Sequence, residues 1–89
     1  MVKIKEVIWT RKFESEFKKI KDFLVKEKLK KQIVKLLENP EIGKPLRYAL
    51  KGERTIRIKP FRLIYSVEKS KLYLLRFEHR NRFQAIRSL

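Results

Sequence analysis

Thr55-Ile56-Arg57-Ile58-Lys59-Pro60-Phe61-Arg62-Leu63-Ile64-Tyr65-Ser66-Val67 is the stretch that decides the fold of this chain. Ile56 and Ile58 alternate with Thr55, Arg57 and Lys59, the period-2 pattern of a strand with one buried face. Pro60 fixes its own φ and lacks a backbone donor, so the chain breaks there at a tight corner. Phe61 to Val67 is a second strand. Glu68-Lys69-Ser70-Lys71 is a polar hairpin turn, and Leu72 to Phe77 is a third strand. Connections this short require the three strands to pair as an antiparallel meander.

Working outward, residues 39–53 carry Pro40, Gly43, Pro45 and Gly52 and read as a loop, tacked to the core by Leu46 and Leu50. Asn39-Pro40 ends a helix, because a residue before proline avoids the α region. That helix carries Leu29, Ile33, Leu36 and Leu37 as its apolar set. Before it, Thr10 is the expected N-cap, and Phe13, Phe17, Ile20 and Leu24 form one stripe of an amphipathic helix. No Gly or Pro marks the boundary between the two helices. Residues 2–8 alternate, with Val2, Ile4 and Glu6 on one side and Lys3, Lys5 and Val7 on the other, and read as a first strand. The expected fold is α+β: an N-terminal strand, a helical hairpin, then a three-stranded antiparallel meander forming one small sheet. The tail from Arg80 to Leu89 forms a short C-terminal helix in this reading.

The chain has 89 residues, enough for one domain over 1–89 and not for two. It has no cysteine, hence no disulfide framework and no thiolate metal site. A single histidine excludes a multi-His metal cluster, so no metal and no cofactor are expected. No apolar signal-peptide core opens the chain, and no apolar run approaches the roughly 20 residues that span a membrane. No membrane association is expected, and the cytoplasm is the expected compartment.

Charge is the strongest compositional signal. There are 25 basic residues against 10 acidic ones, a formal net charge of +15. Even complete internal pairing leaves 15 basic groups without a carboxylate. The Lys, Glu and Ile usage fits a thermophile, but thermophile surfaces usually balance their signs. The surplus points instead to an acidic partner, either nucleic acid or protein. The halves differ in kind. Residues 1–50 hold two arginines and many lysines, whereas residues 51–89 hold seven arginines. Lysine is a hydrated point charge, while arginine is a rigid fork that matches phosphate oxygens bidentately.

Strand parity puts Thr55, Arg57 and Lys59 on one face. Arg62 lies one residue past the start of the next strand, and His79-Arg80-Asn81-Arg82 leaves the end of the third. Arg57, Arg62 and Arg80 therefore converge towards one end or face of the sheet. Such a cluster repels itself unless an anion occupies it at least part of the time. The alternative is that each arginine lies in solvent beside Glu53, Glu68 or Glu78.

These segments resemble the RelE/ParE toxin superfamily. The resemblance rests on residues 55–67, on Asn39-Pro40 through Gly43-Lys44-Pro45-Leu46 with Leu50-Lys51-Gly52, and on His79-Arg80-Asn81-Arg82-Phe83. It spans nearly the whole chain in the same element order. It implies a toxin of a toxin–antitoxin pair, a metal-independent endoribonuclease that cleaves mRNA in the ribosomal A site and is neutralised by an acidic RelB-like antitoxin. The implied chemistry is attack of a 2′-OH on the adjacent phosphate, leaving a cyclic phosphate. That requires a proton acceptor, cations for the phosphorane charge and an acid for the leaving oxygen. The resemblance assigns Arg57, Arg62 and Arg80 to catalytic cationic positions. Arginine holds its proton too tightly to act as a base. His79 is the candidate proton carrier, since histidine is the residue type suited to that task near neutral pH. Arg54, Lys59, Arg82 and Phe83 are expected to contact RNA, Phe83 by stacking on a base.

Two positions depart from the family pattern. Thr55, with Arg54 beside it, stands where the family has a second strand lysine. Ile86, or Gln84 under a shorter spacing, stands where a C-terminal tyrosine is expected. Two other readings follow: a ParE-like toxin that inhibits a topoisomerase by binding, and a catalytically inactive RNA-binding protein of the same fold. Tyr65 and Tyr73 lie within strands and are expected to pack.

Overall fold

The computed structural model describes residues 3–45 and 52–79. Its elements in chain order are β1 (Glu6–Trp9), α1 (Arg11–Lys18), α2 (Phe23–Glu38), β2 (Lys44–Pro45), β3 (Glu53–Ile58), β4 (Phe61–Glu68) and β5 (Lys71–His79). They form an α+β fold with one five-stranded mixed sheet in the order β1-β5-β4-β3-β2.

This corrects the expected architecture. β3, β4 and β5 do run as consecutive antiparallel neighbours, but they are the middle of a larger sheet. β1 closes one edge by pairing parallel with β5, Glu6 opposite Lys71 and Trp9 opposite Leu74. β2 closes the other, with Lys44 opposite Thr55 and Pro45 opposite Arg54. Neither addition shows in local periodicity: β1 finds a partner more than sixty residues along the chain, and β2 has only two residues. Pro45 at the outer strand is compatible with an edge, where its missing N–H costs no ladder bond. The described chain ends in β5 at His79, and the short helix expected from Arg80 onward lies outside the described residues.

The helices divide where two caps place the break. Thr10 Oγ1 accepts from the Phe13 N–H at 3.3 Å and starts α1. Asp22 Oδ1 accepts from Leu24 N–H at 2.9 Å and Val25 N–H at 3.4 Å, and starts α2. The new helix resets the phase, so Leu24 is 67% exposed and does not continue the Phe13–Phe17–Ile20 stripe. α1 lies against β5 and α2 against β3. Phe13, Leu29 and Leu36 from the helices meet Ile56, Leu63, Tyr65 and Leu74 from the sheet in a core without buried charge among the described residues.

One irregularity sets which side chains leave that core. Tyr65 pairs with Leu74 but Ile64 pairs with Arg76, so Leu75 is an extra residue in β5, a β-bulge. Simple alternation from the buried Leu72 and Leu74 would bury Arg76. The bulge reverses parity, turning Phe77 inward and leaving Arg76 and Glu78 on the open face. Among the described residues no helix is long and apolar enough to cross a membrane.

Candidate functional site: an arginine row beside an open cleft

The tight corner at Lys59-Pro60 sets the register that builds the site. Arg57 of β3 stands opposite Arg62 of β4, and Arg62 stands opposite Glu78 of β5. Cross-strand partners share a face, so Arg57, Arg62 and Glu78 form one row across three strands on the face away from the helices. Ile56 and Ile58, flanking Arg57, are buried in the core. Arg57 is exposed and Arg62 is half-buried.

Beside this row lies an open cleft of about 380 Å³ lined by Ile42, Gly43, Lys44, Thr55, Arg57 and Arg62 among others. Three cationic side chains thus face one concavity. Arg57 and Lys44 make no ion pair among the described residues. Arg62 does: its Nε and Nη2 donate to Glu78 Oε2 at 3.1 and 2.9 Å. Of the three carboxylates that could have neutralised the arginines, Glu78 is therefore the one that meets Arg62. Arg76 donates to the other Glu78 oxygen at 3.0 Å and to Glu16 of α1 at 3.1 Å. The Glu16 hydrogen bonds raise the Arg76 pKa above its ordinary value; partial burial opposes this, and the charges of Glu16 and Glu78 add to the rise.

The other expected site residues fall into separate groups. Arg54 donates through Nη1 to the Gly43 carbonyl at 2.7 Å, which ties the β2 approach to β3. Lys59 is exposed at the β3–β4 corner. His79 stands opposite Phe61, which stands opposite Ile58. That row lies on the helix side, and the imidazole meets the Phe61 ring edge-on with centroids 5.0 Å apart. His79 and the Arg57–Arg62 row therefore occupy opposite faces of the same end of the sheet. Arg80, Arg82 and Phe83 lie outside the described residues, as do Gln84 and Ile86. Among the described residues no group of three or more His, Cys, Asp or Glu could hold a metal ion.

From the sequence Glu78 is expected only as a carboxylate beside the arginines, and Lys44, Arg76 and Glu16 are not expected at this site. Lys44 carried a signal in the Gly43-Lys44-Pro45 loop motif. Arg76 and Glu16 have none, because the bulge and the placement of α1 bring them to Glu78.

A small two-helix, five-stranded α+β domain with a cationic cleft defines a class, and comparison with known proteins agrees on it. The family model described as the ParE toxin of type II toxin–antitoxin system, parDE, matches residues 7–82. The chain belongs to that family, and it is a type II toxin of the RelE/ParE fold. The toxin–antitoxin complex RelBE2 from Mycobacterium tuberculosis contains a chain 26% identical, with TM-score 0.70 over 84% of this chain and 96% of that one. A mutant of the E. coli toxin RelE in the free state is 22% identical, with TM-score 0.72 over 99% of this chain and 93% of that one. The chromosomal ParDE toxin–antitoxin system from P. aeruginosa contains a chain 22% identical, with TM-score 0.61 over 85% and 96%. No curated protein sequence matches the chain.

Proposed function

We propose that this toxin is a ribosome-dependent mRNA endonuclease that acts in the cytoplasm and cleaves mRNA in the A site. The observation that carries the reading is the Arg57–Arg62 pair, adjacent on β3 and β4 beside an open cleft with Lys44 at its wall. Two guanidiniums with no carboxylate between them suit a phosphate whose charge grows as the 2′-OH attacks. In this mechanism the 2′ oxygen bonds to phosphorus, the 5′ oxygen leaves, and a cyclic phosphate remains. Arg57 and Arg62 stabilise the phosphorane, and Arg80 joins them from the segment after β5. In this reading His79, at the same end of the sheet but on its opposite face, is the proton carrier. Arg54, Lys59, Arg82 and Phe83 hold the flanking RNA. An acidic RelB-like antitoxin covers the arginines in the neutralised state. The net charge of +15 and the toxin–antitoxin complexes among the similar structures support that partner.

A second reading has specific support. The matching family model is that of ParE, and Thr55 replaces the expected strand lysine. These favour a toxin that inhibits a topoisomerase by binding.

Primer extension on ribosome-bound mRNA decides between them. The expected result is cuts between the second and third A-site bases that disappear with Arg62→Ala. No cuts at any protein level, together with blocked DNA supercoiling, would overturn the nuclease reading in favour of the second.

A further inference from the structure

Arg62 does not stand alone at the cleft; a chain of charges reaches it from the far side of the sheet. β1 ends opposite Leu74, so the outer edge of β5 beyond that point is open to α1. Glu16 fills it. Its Oε1 accepts the Phe77 N–H at 2.8 Å, and its two oxygens accept from Arg76 Nε at 3.3 Å each. Arg76 Nη2 also meets Glu16 Oε2 at 3.1 Å and Glu78 Oε1 at 3.0 Å. Glu78 Oε2 then takes both the Nε and the Nη2 of Arg62. The Glu16 side chain is 11% exposed and that of Glu78 21%, so the far end of this chain is the more firmly packed one.

We propose that Glu78 is the positioning residue of Arg62, holding the Nε edge of its guanidinium so that the Nη1 edge faces the cleft for phosphate. The inference rests on the reading that Arg62 meets a phosphate there. Glu78 consumes Nε–H and one N–H of Nη2; the N–H groups of Nη1 and the other on Nη2 have no partner among the described residues. Those unpaired donors form the end-on edge that matches two phosphate oxygens. An unheld arginine loses that alignment to side-chain rotation, and catalysis is sensitive to misplacement on this scale.

Glu78 could instead be a resident anion that the phosphate must displace, and the two roles differ in what they predict. Removing a carboxylate beside the cleft strengthens anion attraction by Coulomb's law alone. A competitor's removal therefore improves binding and leaves the chemical step intact. A positioning residue's removal lowers the rate of the chemical step without weakening ground-state binding.

The direct test follows the Arg62 side-chain 15N signals while inorganic phosphate is added to the intact protein. Phosphate is expected to shift the Nη signals and to leave the hydrogen-bonded Nε–H signal in place. In Glu78→Gln, whose amide oxygen still accepts, the Nε–H signal is expected to weaken; in Glu78→Ala it is lost, with backbone amide spectra confirming the fold of both. If phosphate itself abolishes the Nε–H signal, or leaves Arg62 unaffected, the proposal is overturned. Where the wild type cuts mRNA, kcat is expected to fall about tenfold in Glu78→Gln and further in Glu78→Ala, with KM unchanged or lower. An unchanged kcat in both variants overturns the proposal. If the wild type cuts nothing while the Arg62 Nη signals still answer phosphate, the nuclease reading fails and the positioning role stands.

Discussion

Tyr65 shows how a single side chain positions the cleft. Its ring is fully buried under the sheet, and its hydroxyl donates to the Pro40 carbonyl at 2.7 Å and accepts the Gly43 N–H at 3.0 Å. The loop that brings Lys44 to the cleft is thus tied to β4 at two points. Gly43 is needed there for closeness: a Cβ would lie 2.6 Å from the Tyr65 hydroxyl and 2.9 Å from the Thr55 carbonyl oxygen. Burial raises the Tyr65 pKa above its ordinary value, more than the Gly43 hydrogen bond and the Arg54 charge lower it. The folded chain therefore keeps a phenol proton that the unfolded chain gives up. The associated stability is fully present below the ordinary value of about 10 and is lost as pH rises through the raised value. In an absorbance titration, one of the three tyrosines should ionise late and with unfolding, and Tyr65→Phe should remove that phase. The same substitution should cost about 1–3 kcal/mol in denaturant unfolding, because Pro40 and Gly43 lose their partner. Three tyrosines ionising together in the folded protein would contradict this account. Sequence reading placed Tyr65 in a strand as a packing residue, which it is; its hold on a loop over twenty residues away has no local signature.

Among the elements, the helix break is the clearest case of a weak signal with a large consequence. Thr10 caps α1 and also donates to the Leu74 carbonyl at 2.7 Å, so one hydroxyl starts a helix and fastens it beside the bulge in β5. Asp22 caps α2 in the middle of an unbroken run of helix-forming residues. Without Gly or Pro there, periodicity alone extends the first stripe to Leu24, and only the cap marks the restart. Asp22→Ala should lower stability by about 1 kcal/mol, which for a domain of this size is about 4–8 °C in Tm. Asp22→Ser should recover most of it. Calorimetry showing the alanine variant melting with the wild type would mean that the cap carries no weight. Glu16 belongs to the same scale: it sits on the short helix that Thr10 begins, and the length of β1 leaves the β5 edge free to receive it.

For the molecule as a whole, the +15 charge is distributed unevenly in its effects. Glu16 and Glu78 are committed to Arg76 and Arg62, while Arg57 and Lys44 face the cleft without a carboxylate of their own among the described residues. Binding of a short single-stranded RNA should therefore weaken steeply between about 50 and 200 mM salt, through release of counterions from the phosphates. Arg57→Ala should flatten the log–log slope by about 1 if Arg57 engages one phosphate. Fluorescence titration across that range measures both, and an affinity indifferent to salt would contradict the electrostatic basis of the site.

What the sequence determined by itself is what neighbours along the chain determine: the alternation of residues 55–59, the corner at Pro60, the polar turn over Glu68 to Lys71, the Phe13–Phe17–Ile20 stripe, the apolar set of the second helix and the cationic surplus. The opening segment Thr55–Val67 carried the Arg57–Arg62 juxtaposition too, since a short corner leaves little choice of register. Only the tertiary structure decided that β1 joins β5 in parallel and that β2 adds an edge. It also decided that a bulge at Leu75 turns Arg76 and Glu78 outward and that His79 lies across the sheet from the arginines. The physical reason is range. Periodicity is a property of residues two to four apart, whereas register, bulges and cross-strand ion pairs depend on which distant backbone donors and acceptors meet.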